Sequence, residues 1–388
     1  MAADTATWTP PTGNSSQFGK DRPVTITANA DNSIQVKPNR GVTIPDIEAI
    51  GPESESLQQW QKRLGIDRSK QVKLVKLAHM RYQHPDLPTI RKFLIDFGMH
   101  VAKETEDEIW FRGYGTDQYV YYARKGEMKF LGGTFEVESM EELEKASKLP
   151  RAQGPIEEMK HAPGGGYLLA LQDPEGFPIN LMYGSPPAAT GAEWPEKVIY
   201  NYEGEDKPRV RKFNRFTPGP AAVHKLGHYG LCVQKFSEQL DWYTRTFNFA
   251  PTDFLYIPAG DGKTKDVAVF AHIDRGETCV DHHTFFMSTN PTSHVHHASF
   301  EVHDYDTQHL GHQWLEKQGY TSVWGVGRHI LGSQVIYIFD YWWDTTGNMI
   351  EHYADGDLVN QDTPVGWGPA GDESLAVWGP EVPSWFLH

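Results

Sequence analysis

The stretch Gly132–Leu149, GGTFEVESMEELEKASKL, decides how this chain folds, because it returns as HASFEVHDYDTQHLGHQWLEKQGY at His297–Tyr320. A strand ending in FEV followed by an amphipathic helix is one unit, and finding it twice makes internal duplication the first thing to test. The flanking segments repeat in the same order. VKLVKLAHMRY (Val72–Tyr82) and the helical stripe LPTIRKFLIDFG (Leu87–Gly98) match KLGHYGLCV (Lys225–Val233) and FSEQLDWYTRTFNF (Phe236–Phe249). Leu87, Ile90, Phe93, Leu94 and Phe97 fall on one helical face. Extended aromatic and β-branched segments follow in each copy, EIWFRGYGTDQYVYYA and then DVAVFAHI with CVDHHTFFM. Each copy closes on a D-x-x-G turn and a strand, LQDPEGFPINLMYG and WWDTTGNMIEHYADG.

The expected architecture is α+β: two tandem modules, each a pair of βαβββ units forming a partly closed, barrel-like sheet. Residues 71–186 make the first module and 221–357 the second. A Pro/Gly/Glu-rich linker joins them over 187–220. Residues 1–70 read as an extended arm with one short helix, in which Leu57, Trp60 and Leu64 share a face, packed on the body or on a neighbouring subunit. Residues 358–388 form a tail rich in Trp and Pro, expected to cross a surface or a pocket mouth.

Composition bounds the function. A chain of 388 residues with 39% hydrophobic and 12% aromatic residues can build well-formed cores. Thirty-six basic against 51 acidic side chains give a net charge of −15, which argues against nucleic acid as a partner. Two cysteines, Cys232 and Cys279, make no disulfide framework. No signal peptide and no apolar run long enough to span a bilayer is present, so a cytoplasmic protein without a membrane partner is expected.

Thirteen of the 18 histidines fall between Ala221 and Asp355. Three strand-like segments in that region carry His228, His297 and Glu351, separated by 69 and 54 residues. Two imidazoles and one carboxylate on one face of an octahedral ion leave its other positions open, which suits ferrous iron handling dioxygen. The duplication supplies an internal control: His228 aligns with His79, His297 with Gly132 and Glu351 with Asn180. If the fold itself required the trio, both copies would carry it. His79 by itself reads as a structural histidine.

LGHYGLCV, HHASFEV and GNMIEHY on duplicated modules resemble the type I extradiol ring-cleaving dioxygenases of the vicinal oxygen chelate superfamily, over roughly Lys73 to Asp357. The resemblance implies Fe(II), with Mn(II) as the other metal of the same ligand preference, held by His228, His297 and Glu351, and O2 as co-substrate. DHHTFFM resembles the strand bearing the family's active-site histidine, mapped to His283, with His282 competing for the position; His296 competes likewise with His297. GVGRH places His329, and Tyr341, ten residues before Glu351, stands where the family has its tyrosine. The implied roles are acid/base for His283, hydrogen bonding to the catecholate for Tyr341, and contact with the same substrate oxygen for His329. The implied reaction is meta-cleavage of a small aromatic catechol with both atoms of O2 entering the product, in a protein expected to be a homo-oligomer.

Other readings on the same scaffold are a glyoxalase-type isomerase and an α-keto acid dioxygenase; a protein that binds an aromatic compound without turnover is a further alternative. Phe285, Phe300, Trp342 and Trp343 read as core residues some of which line an apolar pocket, and Asp355 and Asp357 as turn residues.

Overall fold

The computed structural model describes residues 55–190, 194–196, 210–211, 214–260, 262–331, 334–371, 375–384 and 386, together with three short N-terminal strands. Those strands, β1 (Thr5–Thr7), β2 (Thr25–Ala28) and β3 (Ile34–Gln35), pair in a small antiparallel sheet. Most of the expected arm and of the 187–220 linker lies outside the described residues. Helix α1 (Leu57–Arg63) starts at a capping box, with the Ser56 side chain accepting from Gln59 N–H and the Gln59 side chain accepting from Ser56 N–H. Leu57 and Trp60 are buried as the periodicity requires, but Leu64 falls at the C-cap and is exposed; Gln61 is the third buried residue.

The first module runs β4 (Leu74–His84), α2 (Leu87–Asp96), β5 (His100–Glu104), β6 (Glu108–Arg112) and β7 (Tyr121–Lys125). It continues with β8 (Lys129–Val137), α3 (Met140–Ala146), β9 (Glu157–Glu158), β10 (Tyr167–Gln172) and β11 (Pro178–Tyr183). The second runs β12 (Val223–Val233), α4 (Phe236–Thr246), β13 (Phe249–Gly260), β14 (Lys263–Ile273), β15 (Val280–Asp281) and β16 (Phe285–Thr289). Then come β17 (His294–Val302), α5 (Tyr305–Lys317), β18 (Ser322–Leu331), β19 (Gln334–Trp343) and β20 (Met349–Ala354). The tail adds β21 (Leu358–Val359) and β22 (Gly366–Pro369).

Strand order is β5-β6-β7-β4-β8-β11-β10-β9 in the first module and β18-β19-β20-β17-β12-β16-β14-β13 in the second, with β22 added beside β13. In each, two antiparallel strands form the centre (β4 with β8, β12 with β17), and each is flanked by a parallel partner closing its own βαβββ unit. The chain therefore has the two-module fold of tandem βαβββ units. The helices begin where side-chain oxygens can accept from free N–H groups: Asp86 caps α2, Ser139 caps α3 and Asp304 caps α5.

One hydrophobic core runs through both modules, from Leu74, Phe93 and Phe135 to Tyr229, Phe249 and Phe300. Several polar groups buried against it are paired: Asn248 accepts from Leu74 N–H and donates to the Leu74 carbonyl, and His352 stacks on Phe97 at 3.6 Å while its Nε2 lies 2.7 Å from the Phe97 carbonyl. Such pairing removes the desolvation cost that isolated polar groups would impose.

Candidate active site

Strand register explains why three distant residues meet. His228 on β12 sits opposite Ser299 on β17, Ser299 sits beside Glu351 on β20, and Glu351 sits opposite Tyr341 on β19. Residues level with one another across a sheet project from one face, so Tyr341, Glu351, Ser299 and His228 form a single row. His297, two residues before Ser299, joins that face. The small Ser299 leaves space between the carboxylate and His228.

The donor atoms of His228, His297 and Glu351 all lie within 4.8 Å of one another, the one such buried group among the described residues. Glu351 Oε2 is 3.3 Å from His228 Nε2 and 3.7 Å from His297 Nε2. Both Glu351 oxygens and His297 Nε2 are buried without a hydrogen-bond partner. Burial pushes the Glu351 carboxyl well above its usual range, offset only in part by the neighbouring Ser299 and Tyr341 hydroxyls, and holds His228 and His297 well below theirs. A buried carboxylate facing two neutral imidazoles is costly alone and is satisfied by a divalent cation, so these residues fit a metal of the iron or manganese type.

His297 and His283 are each preceded by another histidine, and the geometry gives the two members of each pair different work. His296 Nε2 lies 2.8 Å from the Phe386 carbonyl, so that nitrogen carries the proton; its Nδ1, 2.6 Å from His297 Nδ1, is then the acceptor. His297 donates from Nδ1 and presents a bare Nε2 lone pair toward Glu351. The second pair repeats the device. Asp253 Oδ2 accepts from His282 Nε2 at 2.8 Å, His282 Nδ1 is 3.2 Å from His283 Nδ1, and His283 Nε2 is left without a partner. His282 and His296 thus orient His283 and His297. The His283 ring lies 4.1 Å from that of His228, and burial holds it neutral, its pKa well below the ordinary value.

His329 and Tyr341 form a third linked pair. His329 Nδ1 is 2.6 Å from the Leu375 carbonyl and donates to it, so Nε2, 2.9 Å from the Tyr341 hydroxyl, accepts the tyrosine proton. That directs a Tyr341 lone pair away from His329.

These groups border a cavity of about 130 Å³ lined by His283, His297, His329 and Tyr341, with Phe270, Phe286, Leu375 and Phe386 among its apolar walls. The aromatic lining differs from the expected set. Phe285, Phe300 and Trp342 belong to the main core cluster, Trp343 packs partly buried against the second cluster around the cavity, and Phe270, Phe286 and Phe386 line the cavity itself. Asp355 has φ +61°, the left-handed conformation of a turn.

Sequence reading missed Tyr337. Its hydroxyl lies 3.3 Å from His228 Nε2, and its ring borders both His283 and His329. The signal was present: Tyr337 and Tyr341 are four apart on one strand and so share its inner face.

Residues 225–352 match the family model described as the Glyoxalase/Bleomycin resistance protein/Dioxygenase superfamily. Metapyrocatechase 2 of Cupriavidus necator is 28% identical over 330 residues, covering 80% of this chain and 91% of that protein. Along most of its length the chain is thus similar to extradiol ring-cleaving dioxygenases, and over its second module to the wider superfamily. Among solved structures of this fold, homoprotocatechuate 2,3-dioxygenase from Brevibacterium fuscum, in complex with 3,4-dihydroxyphenylacetate, has a TM-score of 0.67 at 17% identity, covering 83% of this chain and 94% of that one. The Mn(II)-bound glyoxalase from Novosphingobium aromaticivorans has a TM-score of 0.63 at 17% identity, covering 81% and 94%. The likeness to these enzymes implies a catalytic metal.

In the first module the corresponding row is His79, Thr134 and Asn180, with Gly132 in the place of His297. Asn180 Nδ2 donates to the Leu131 carbonyl at 2.9 Å, and Gly132 has φ +104°. No donor set exists there. No helix of the described residues is long and apolar enough to cross a membrane.

Proposed function

We propose that the protein opens the ring of a catechol-type substrate beside its two hydroxyls, with Fe(II) held by His228, His297 and Glu351 and both atoms of O2 incorporated. The observation that carries this reading is the fully buried Glu351 carboxylate, unpartnered on both oxygens, converging with two imidazoles at the wall of an apolar cavity. When bound, the metal supplies Lewis acidity and holds catecholate and dioxygen together.

The chain's own groups handle the protons. Tyr341, its proton engaged by His329 Nε2, accepts a hydrogen bond from a substrate hydroxyl and eases loss of that proton. His283, neutral and fixed by His282, takes a proton at Nε2 and returns it as the ring opens. The Tyr337 hydroxyl beside His228 donates to oxygen in the same space. Phe270, Phe286, Leu375 and Phe386 exclude water from the reacting atoms.

A glyoxalase-type reading with ligands from both modules finds no support in His79, Gly132 and Asn180. The test is anaerobic purification, determination of bound metal, and oxygen uptake with catechols while the yellow ring-cleavage product is followed. About one iron per chain and oxygen uptake are expected in the native protein. Glu351→Ala is expected to lose the metal, lacking the one anionic ligand. Iron retained in Glu351→Ala, or no uptake with any catechol, would overturn the proposal.

A further inference from the structure

The walls of the cavity show which catechols fit. Its apolar lining on β13, β14 and β16 is Leu255, Val267, Ala268, Phe270 and Phe286, and the tail contributes Ala370, Gly371, Leu375 and Phe386. Among the described residues that line it there is no lysine, arginine, aspartate or glutamate. Its titratable side chains are four histidines and two tyrosines, each already committed: His296 to the Phe386 carbonyl, His329 to the Leu375 carbonyl, Tyr341 to His329, Tyr337 beside His228, and His283 and His297 to their orienting partners. The nearest arginine along β18, Arg328, is paired with Asp355 at 2.6 Å.

A carboxylate substituent carried into such a site would lose its hydration and meet no cationic side chain, whereas an alkyl or aryl substituent would gain contact with the phenylalanine and leucine walls. We infer that, within the proposed ring-cleavage function on which this rests, the substrate is an uncharged catechol bearing an apolar alkyl or aryl substituent, and that acidic catechols are discriminated against. The polar groups that remain on the cavity wall, Ser288 and Thr289, can hydrogen-bond a neutral substituent but cannot balance a negative one.

The experiment compares catechol, 4-isobutylcatechol and 3,4-dihydroxyphenylacetate on the metal-loaded full chain, by anaerobic calorimetric binding and by oxygen uptake. The second and third differ in charge but little in shape. Binding of the acid is expected to be weaker than that of the isobutyl compound by on the order of 100-fold, with kcat/KM following the same ratio. A gain-of-function arm uses Val267→Arg, at a half-buried wall position, which is expected to narrow that ratio by on the order of 10-fold by supplying a cation. Equal or preferential binding and cleavage of the acid by the native protein would overturn the inference while leaving ring cleavage intact. Failure of all three compounds to bind or consume oxygen would overturn the ring-cleavage reading, and the inference with it.

Discussion

His282 and His283 are chemically identical neighbours, yet one faces Asp253 and the other faces His228. The difference lies in which nitrogen each must protonate. Asp253, with no exposed surface, fixes the Nε2 proton of His282, and His282 in turn fixes the Nδ1 proton of His283, leaving His283 Nε2 bare in the cavity. Removing an orienting group of this kind typically costs about 10–100-fold in activity or metal affinity. His282→Ala is therefore expected to lower kcat by roughly 10- to 100-fold while leaving metal content unchanged, since the ligand trio does not touch it. Metal analysis alongside steady-state kinetics checks this, and an unaltered kcat would show that His283 needs no orientation. Sequence alone placed both histidines but could not divide their roles, because tautomers are set by acceptors such as Asp253 and the Phe386 carbonyl. A backbone carbonyl has no sequence signature at all. Tyr337 was hidden differently: among so many aromatics in YIFDYWW, its proximity to His228 is a fact of strand pairing, not of residue type.

At the scale of strands, the two modules carry the same ladders but not the same backbone at one position. His297 and its counterpart Gly132 both stand beside a register shift in their ladders, but Gly132 alone of the two has a positive φ, +104°, and a Cβ built there would lie 2.6 Å from both the Pro178 carbonyl oxygen and Asn180 Nδ2. The first module thus lost more than its ligands: the strand has closed over the place a histidine side chain would need. The double variant Gly132→His with Asn180→Glu is expected to bind no second metal ion and to be destabilised by about 1–3 kcal/mol, from left-handed strain and overpacking. Metal-to-protein ratio and denaturant unfolding measure both. A ratio rising to two would show that only side chains separate the modules. The duplication, and the correspondence of His79, Gly132 and Asn180 to the trio, could be read from FEV and the D-x-x-G turns because strand period and turn chemistry are local. The positive φ could not, since glycine tolerates either hand.

For the whole molecule, burial of histidine couples folding to pH. His84 and His272 are held down at about 4 by desolvation, and His352 at about 3. Above about pH 6.5, the ordinary histidine value, folded and unfolded chains both hold neutral rings and the effect vanishes. As pH falls below that, the unfolded chain takes up protons that the folded one cannot accept until its own lower pKa is reached. Stability is therefore lost between about pH 6.5 and 4, by roughly 2 kcal/mol for each such ring at pH 5. Denaturant titrations at pH 7, 6 and 5 are expected to show a steep decline, and a flat profile would mean these rings reach solvent in the folded state.

The tail is the other feature that belongs to the molecule rather than to any element. Strand β22 runs parallel to β13, the Trp378 carbonyl accepts from Arg328 N–H at 2.9 Å, and the Phe386 ring packs 5.0 Å from Tyr341 and 4.9 Å from His296. Two of its backbone carbonyls, at Leu375 and Phe386, hold His329 and His296 in the tautomers the cavity requires. Sequence suggested a segment crossing a pocket mouth; that it also fixes protons follows only from the folded chain. Truncation after Pro369 leaves all three ligands on β12, β17 and β20, so a metal can still bind, but His296 is then free to turn and His297 loses its oriented acceptor. Metal affinity is expected to weaken by about 10-fold or more, as for other lost orienting contacts, and KM for an apolar catechol to rise with the loss of the Leu375 and Phe386 walls. Circular dichroism would confirm that the sheets persist. Unchanged metal affinity and KM in the truncated chain would mean that water replaces both carbonyls at no cost, and that the tail covers the site without ordering it.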